Sequence, residues 1–168
     1  MEFRLARPQD LPQLTAVYQK IIAQMAQNGV DIWDEVYPCA LFDGDIAQKR
    51  LSILVDGPDI AAAFALCAAN DGAAFIQWAQ PQAKALYLDR LGVSPAYSRQ
   101  GLGGEMLRRA AALAKEAGAA YLRLFVVDCN LPAIRLYRKS GFLQMPGCYE
   151  EQIDDELVLR EWGFERKL

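Results

Sequence analysis

The sequence contains no histidine. That absence removes Ser–His and Cys–His nucleophilic pairs, imidazole-ligated metals and imidazole general bases. Cysteine is scarce. Cys39, Cys67, Cys129 and Cys148 form no Cys-x-x-Cys pair and have no secretory context, so reduced, buried thiols are expected and no metal site. There is no basic excess: 18 Lys and Arg stand against 21 Asp and Glu, for a net charge of −3. Nucleic-acid binding, which favours a basic domain, is not expected. No apolar run is long enough to span a bilayer, and the alanine-rich Ile60 to Ala69 reads as a strand. No basic segment followed by an apolar run opens the chain, so the expectation is a cytoplasmic protein without a signal peptide or membrane partner. Repeats, low complexity and linkers are missing. No heptad or apolar stripe compels an oligomer, which leaves a homodimer open.

What is present is material for one core. Apolar residues make up 53% of 168 positions, the size of a single domain over residues 1–168. Phe3 to Leu5 reads as a strand. Asp10 is placed as an N-cap for a helix over Leu11 to Gln27, whose apolar residues recur at helical spacing until Asn28-Gly29 ends it. Gly29 to Pro38 reads as a loop holding Trp33, Asp34, Glu35 and Tyr37, and Cys39 to Arg50 as a shorter helix. Leu51 to Val55 and Ile60 to Ala69 read as strands joined through Asp56-Gly57-Pro58-Asp59, a hairpin signal. Asn70 to Gln82 lacks periodicity and reads as a surface excursion. Strands follow at Ala85 to Val93 and Tyr121 to Val127, with helices at Leu102 to Ala117 and Leu131 to Ser140. Leu143 to Tyr149 and Glu156 to Lys167 read as two closing strands. The alternation predicts an α/β fold in layers.

The densest chemistry lies after the strand ending at Val93. Ser98-Arg-Gln-Gly-Leu-Gly-Gly104 forms a glycine-rich loop that opens a helix directly. Gly101, Gly103 and Gly104 permit left-handed backbone and close approach to a ligand. The first N–H groups of a helix, at the positive end of its dipole, favour an anion such as phosphate. Two common phosphate motifs do not fit. No Lys-Ser or Lys-Thr follows the last glycine, and the G-x-G-x-x-G spacing is absent.

A second stretch gives the loop its context. Asn130, Ala133, Leu136, Tyr137, Gly141 and Phe142 fit the pattern Asn-x-x-Ala-x-x-Leu-Tyr-x-x-x-Gly-Phe after a strand. With the glycine loop upstream, the chain resembles the GNAT superfamily of acetyl-CoA-dependent N-acetyltransferases from about residue 3 to the end. In that family's first motif, Gln/Arg-x-x-Gly-x-Gly/Ala, Gly101 and Gly103 match. Ser98 stands where Gln or Arg is usual, with Arg99 and Gln100 beside it.

The resemblance implies a GNAT-like fold: a mixed, mostly antiparallel sheet flanked by helices, whose strands ending at Val93 and Val127 splay to admit acetyl-CoA as co-substrate. It implies that Ser98, Arg99, Gln100, Gly101, Leu102, Gly103 and Gly104 hold the cofactor, with Asn130 on the pantetheine arm. Leu91 and Val93 would contribute backbone groups, either to the pantetheine amides or to polarise the thioester carbonyl. Arg99, Arg135, Arg138 and Lys139 are further candidates for the CoA phosphates. Tyr137 is the catalytic candidate. A phenol of pKa about 10 stays protonated at neutral pH and can protonate a departing thiolate. Trp33, Asp34, Glu35 and Tyr37 would face a cationic acceptor. Asp34, Glu35 and Asp89 are the candidate bases. A small-molecule primary amine, acetylated by direct attack in a ternary complex, is the expected acceptor. A protein N-terminus or lysine is the alternative substrate, and a non-catalytic acyl-CoA-binding module the alternative function.

Overall fold

The computed structural model describes residues 1–153 and 157–168. Its elements are β1 (Glu2–Leu5), α1 (Leu11–Gln27), α2 (Phe42–Ala47), β2 (Leu51–Asp56), β3 (Asp59–Cys67), β4 (Ala85–Val93), α3 (Leu102–Glu116), β5 (Tyr121–Val127), α4 (Leu131–Lys139), β6 (Leu143–Gln144), β7 (Tyr149–Gln152) and β8 (Val158–Lys167). Short 3-10 turns precede α1, α2 and α3, and a fourth spans Asp71–Phe75. Strand pairing runs β1-β2-β3-β4-β5-β8-β6, with β7 also on β8. The fold is α/β with a mixed, mostly antiparallel sheet. Two compact units can be distinguished, and their boundaries fall within β3, β4 and α3.

The first unit comprises Met1–Ala65 and Arg90–Met106. β1 and β2 pair antiparallel from Glu2↔Val55 to Leu5↔Ser52, and β2 pairs with β3 through the expected hairpin, with a register shift at Leu54/Val55. Gly57 supplies the left-handed residue (φ 59°) that the tight turn needs. α1 buries Leu14, Val17, Tyr18 and Ile21, its helical stripe, and Phe42, Leu51, Ile53 and Phe64 complete the core. Asp10 stands before α1, but its carboxylate makes no cap bond to that helix. It accepts the Arg7 N–H at 2.7 Å and both Nη groups of Arg4, at 2.7 and 2.8 Å. A bidentate guanidinium outcompetes a cap bond for the carboxylate. The expected helix over Cys39 to Arg50 is a 3-10 turn followed by six helical residues, ended by left-handed Lys49 (φ 54°).

The second unit comprises Leu66–Asp89 and Leu107–Leu168. β4 runs parallel to β5 over Ala85↔Tyr121 to Leu88↔Leu124. β8 pairs antiparallel along all of β5, from Tyr121↔Lys167 to Val127↔Glu161. The segment Asn70 to Gln82 is not a surface excursion throughout, because Ile76 and Trp78 are buried. Trp78 packs edge-on against Tyr87 and Phe125 and donates its Nε1–H to the Ala73 carbonyl at 2.9 Å. Gly163 makes room for it: a Cβ there would lie 2.8 Å from two Ile76 carbons and 3.0 Å from Trp78. The expected strand from Leu143 to Tyr149 is instead two strands, β6 and β7, separated by Gly147 at φ 109°. The expected start of the last strand at Glu156 lies outside the described residues.

Arg123 and Glu165 sit in the core of this unit. Glu165 accepts Arg123 Nε–H at 3.2 Å and the Ala79 N–H at 2.9 Å. Arg123 also donates to the Gln80 carbonyl at 2.9 Å, and its guanidinium lies 4.5 Å from the Trp78 ring centre. Breaking a buried pair from one side strands the other charge. Glu165→Ala is therefore expected to cost about 3–5 kcal/mol and to lower Tm by roughly 10 °C. Glu165→Gln, which retains an acceptor for Ala79, should cost less. Thermal unfolding followed by circular dichroism measures both.

Candidate active site

The glycine loop begins where β4 ends. Pro95–Tyr97 form a 3-10 turn, anchored by the Tyr97 hydroxyl donating to Asp56 at 3.2 Å. Arg99 (φ 61°) and Gly101 (φ 80°) are left-handed on either side of Gln100. Backbone N–H groups of a turn that includes left-handed residues can point into one concavity, a nest that suits anions. The first helical bond of α3 here is Glu105 N–H to Gly101 O at 3.1 Å, so the N–H groups of Leu102, Gly103 and Gly104 precede the ladder. Nothing lies within 4 Å of a Cβ at Gly101. An open nest, a helix N-terminus and an exposed Arg99 suit a phosphate. Of the three glycines that permit a left-handed backbone, only Gly101 uses it. Gly103 and Gly104 lie in the first turn of α3, where the helix imposes right-handed angles. Ser98 is exposed and extended, with ψ 151°.

Leu91 and Val93 lie on the second half of β4, beyond the last β4–β5 pair at Leu88↔Leu124. Arg90, just before Leu91, is left-handed at φ 54° inside the strand. Its guanidinium donates to Asp45 from Nε at 2.8 Å and from Nη2 at 3.2 Å. Asp45 is fully buried and accepts Arg50 Nε–H as well. Nothing in the sequence brings Arg90, Asp45 and Tyr18 together, and Tyr18 reads there only as part of the apolar stripe of its helix. A lone Arg in an apolar strand was the available signal, and nothing local foretells its φ.

Asn130 caps α4, its side chain accepting the Ala133 N–H at 3.3 Å. About two helical turns further on, Tyr137 is buried, its ring against Phe142 and Phe164 with centres 6.1 and 6.3 Å away. Burial, then the charge of Asp89, raises its pKa well above the ordinary phenol value, so the phenol stays protonated. Arg135, Arg138 and Lys139 are exposed on α4, and Arg138 donates to Gln144 at 2.8 Å.

Asp89 also acts on two carboxylates that sequence reading missed. Burial first, then Glu151 and Asp89, raises the Glu161 pKa to about 7. Glu151 is raised by burial, then by Asp71 and Asp89. Glu161 stands opposite Tyr149 on β7 and Val127 on β5, and Tyr149 packs on Phe75 and Phe125. Strand alternation, which puts Glu161, Gly163 and Glu165 on one face, was the available signal.

In the Gly29–Pro38 loop, Asp34 accepts the N–H groups of Val36 and Tyr37, each at 2.7 Å, and these bonds hold its pKa below the ordinary value. Trp33 stacks on Tyr18 at 5.8 Å and meets the edge of Tyr37 at 6.3 Å. Asp34, Glu35 and Tyr37 are exposed. The expectation of four buried thiols is corrected. Cys67 is buried, Cys39 and Cys148 are half-buried, and Cys129 is exposed at the turn after β5, where the chain leaves the sheet. Among the described residues no group of three or more Cys, Asp or Glu is arranged to hold a metal, and no helix is long and apolar enough to cross a membrane.

The mixed sheet, with a glycine loop opening the helix that follows β4, places the protein in the α/β class. The model of the acetyltransferase (GNAT) family matches residues 31–142, and the chain belongs to that family. Streptothricin acetyltransferase of Streptomyces lavendulae is 32% identical over 100 residues, 60% of this chain and 48% of that protein. Thialysine N-epsilon-acetyltransferase of Bos taurus is 31% identical over 75 residues, 45% of this chain and 44% of that protein. The chain therefore spans about half the length of these relatives. A GNAT-family acetyltransferase structure from Streptococcus agalactiae superposes with TM-score 0.82 at 18% identity, covering 99% of this chain and 95% of that one.

Linkage gives Glu161 a sign that can be tested. Folding raises its pKa from 4.5 to about 7, so the folded state holds the proton more tightly. Its stabilising contribution is full below pH 4.5 and lost as pH rises through about 7. Relative to Glu161→Gln, the wild type should lose on the order of 1–3 kcal/mol across that window. Urea unfolding at a series of pH values reads the difference, which should stay flat outside the window.

Proposed function

We propose that the protein is an acetyl-CoA-dependent N-acetyltransferase whose acceptor is a small-molecule primary amine, attacked directly in a ternary complex. The observation that carries this reading is Tyr137: a buried phenol, kept protonated, at the family's motif position after an Asn-capped helix start. Acetyl-CoA supplies an activated acetyl group as a thioester. The nest at Arg99 to Gly101 and the N–H groups of Leu102 to Gly104 would bind its phosphates, with Asn130 and the backbone of Leu91 and Val93 on the pantetheine arm and thioester.

The chemistry moves three protons: an alkylammonium gives up two in becoming an amide, and the departing sulfur takes up one. An alkylamine of pKa about 10.4 arrives protonated and must lose a proton before it can attack. Glu161, which titrates near 7, is the carboxylate suited to take it. As the N–C bond forms and the C–S bond breaks, Tyr137 passes its proton to the departing sulfur, and its oxygen takes back the second proton from the attacking nitrogen. The acceptor's cationic form suits the aromatic and acidic groups Trp33, Asp34, Glu35 and Tyr37. Support for a small amine comes from the relatives, one named for streptothricin and the other for the Nε of thialysine. On this reading the reaction needs no metal and takes place in the cytoplasm.

Turnover of acetyl-CoA by the purified protein, assayed with a panel of lysine-like, polyamine and peptide acceptors, tests the reading. Tyr137→Phe is expected to lower kcat about 100-fold or more and to leave acetyl-CoA binding, measured calorimetrically, within a few-fold. Retained kcat in that variant would remove the acid from Tyr137. Tight CoA binding with no acceptor acetylated would convert the reading to a binding module.

A further inference from the structure

We propose that Tyr18 and Asp45 are positioning residues for acyl transfer, because together they lock the Arg90–Leu91 peptide so that the Leu91 N–H is a fixed, polarised donor. The inference rests on the acetyltransferase reading, in which that N–H meets the thioester.

A left-handed residue inside a strand is sparsely populated and persists only where its surroundings over-determine it. At Arg90 they do. The guanidinium is gripped by Asp45 through two nitrogens, and Asp45 is itself held by Arg50. The Arg90 carbonyl accepts the Tyr18 hydroxyl at 2.5 Å, with the Ala63 carbonyl a more distant acceptor at 3.4 Å. Tyr18 and Asp45 are both wholly buried, so water does not compete for either bond. Tyr18 also abuts the strand on the far side of Leu91. A Cβ at Gly92 would come within 2.9 Å of its ring, its hydroxyl and Ile21. Leu91 is thus clamped on both flanks by one side chain.

The consequence follows from peptide geometry. A trans peptide is planar, and its C=O and N–H point opposite ways. The Arg90 C=O and the Leu91 N–H belong to one such plane. The Tyr18 bond therefore fixes the direction of the Leu91 N–H and turns it away from Tyr18. A strong bond to the carbonyl also polarises the N–H across the same amide. Preorganised backbone donors of this kind stabilise charge that develops on a reacting carbonyl oxygen.

Tyr18→Phe keeps the ring and deletes the bond. Its expected effect is about a tenfold loss of kcat, with KM for acetyl-CoA changed less than threefold. The Leu91 amide proton, observed with [15N]leucine labelling, should move upfield and respond less to added acetyl-CoA. Asp45→Asn should also lower kcat. Adding Arg90→Gly to Asp45→Asn should recover part of the loss, since glycine adopts the left-handed angle freely and leaves no buried guanidinium. A merely structural role predicts lost folded protein with kcat per folded molecule unchanged. That result, or an unmoved Leu91 amide, would overturn the proposal. If Tyr18→Phe fails to fold, the Asp45→Asn pair decides. A wild type inactive on every amine would sink the acetyltransferase reading instead, and the Leu91 amide response to acetyl-CoA would still judge the clamp.

Discussion

A buried backbone polar group must find a partner, and a buried charge must find its opposite. In the first unit these two demands meet at Arg90. Its φ of 54° interrupts an otherwise regular strand, its carbonyl takes the Tyr18 hydroxyl, and its guanidinium takes Asp45. Each contact would be expensive to leave half-made. The short helix carrying Asp45, the long helix carrying Tyr18 and the far half of β4 are therefore fixed to one another by a single residue. The loop that follows at Ser98 to Gly104 starts from a strand whose end cannot drift.

The second unit follows the same logic with different parts. Arg123 joins β5 to Glu165 on β8, and Glu165 also accepts the N–H of Ala79. That polar centre is walled by Trp78, Tyr87 and Phe125, and Gly72 and Gly163 leave space for the rings. On the same sheet the carboxylates of Asp89, Glu151 and Glu161 are partly withdrawn from water. Withdrawal, more than mutual repulsion, brings Glu161 into the neutral range and keeps the Tyr137 phenol protonated. A phenol and a carboxylate with displaced pKa values arise from ordinary burial.

Much of the fold was legible. α1, β4 and β5 lie at the residues that periodicity indicates, because an apolar stripe at helical spacing or an alternating run has few other ways to bury itself. The Asn130 cap and the Gly57 turn were readable for local reasons. The misreadings have tertiary causes. Ile76 and Trp78 sit in a segment without periodicity, and only Gly163, distant in sequence, gives them a place. Asp10 has the residue type of a cap, yet Arg4, six residues earlier, takes its carboxylate.

The sequence by itself determined the family, through two motifs in order and separation, and with it the expected cofactor loop and phenol. It also excluded imidazole chemistry, since no histidine exists to perform it. Tertiary structure alone decided which carboxylate titrates near neutrality and which strand residue turns left-handed. Both depend on burial and on partners far along the chain: Tyr149 and Val127 around Glu161, Tyr18 and Asp45 around Arg90. Local propensity carries no record of such neighbours, because desolvation and ion pairing exist only once the chain has closed around them.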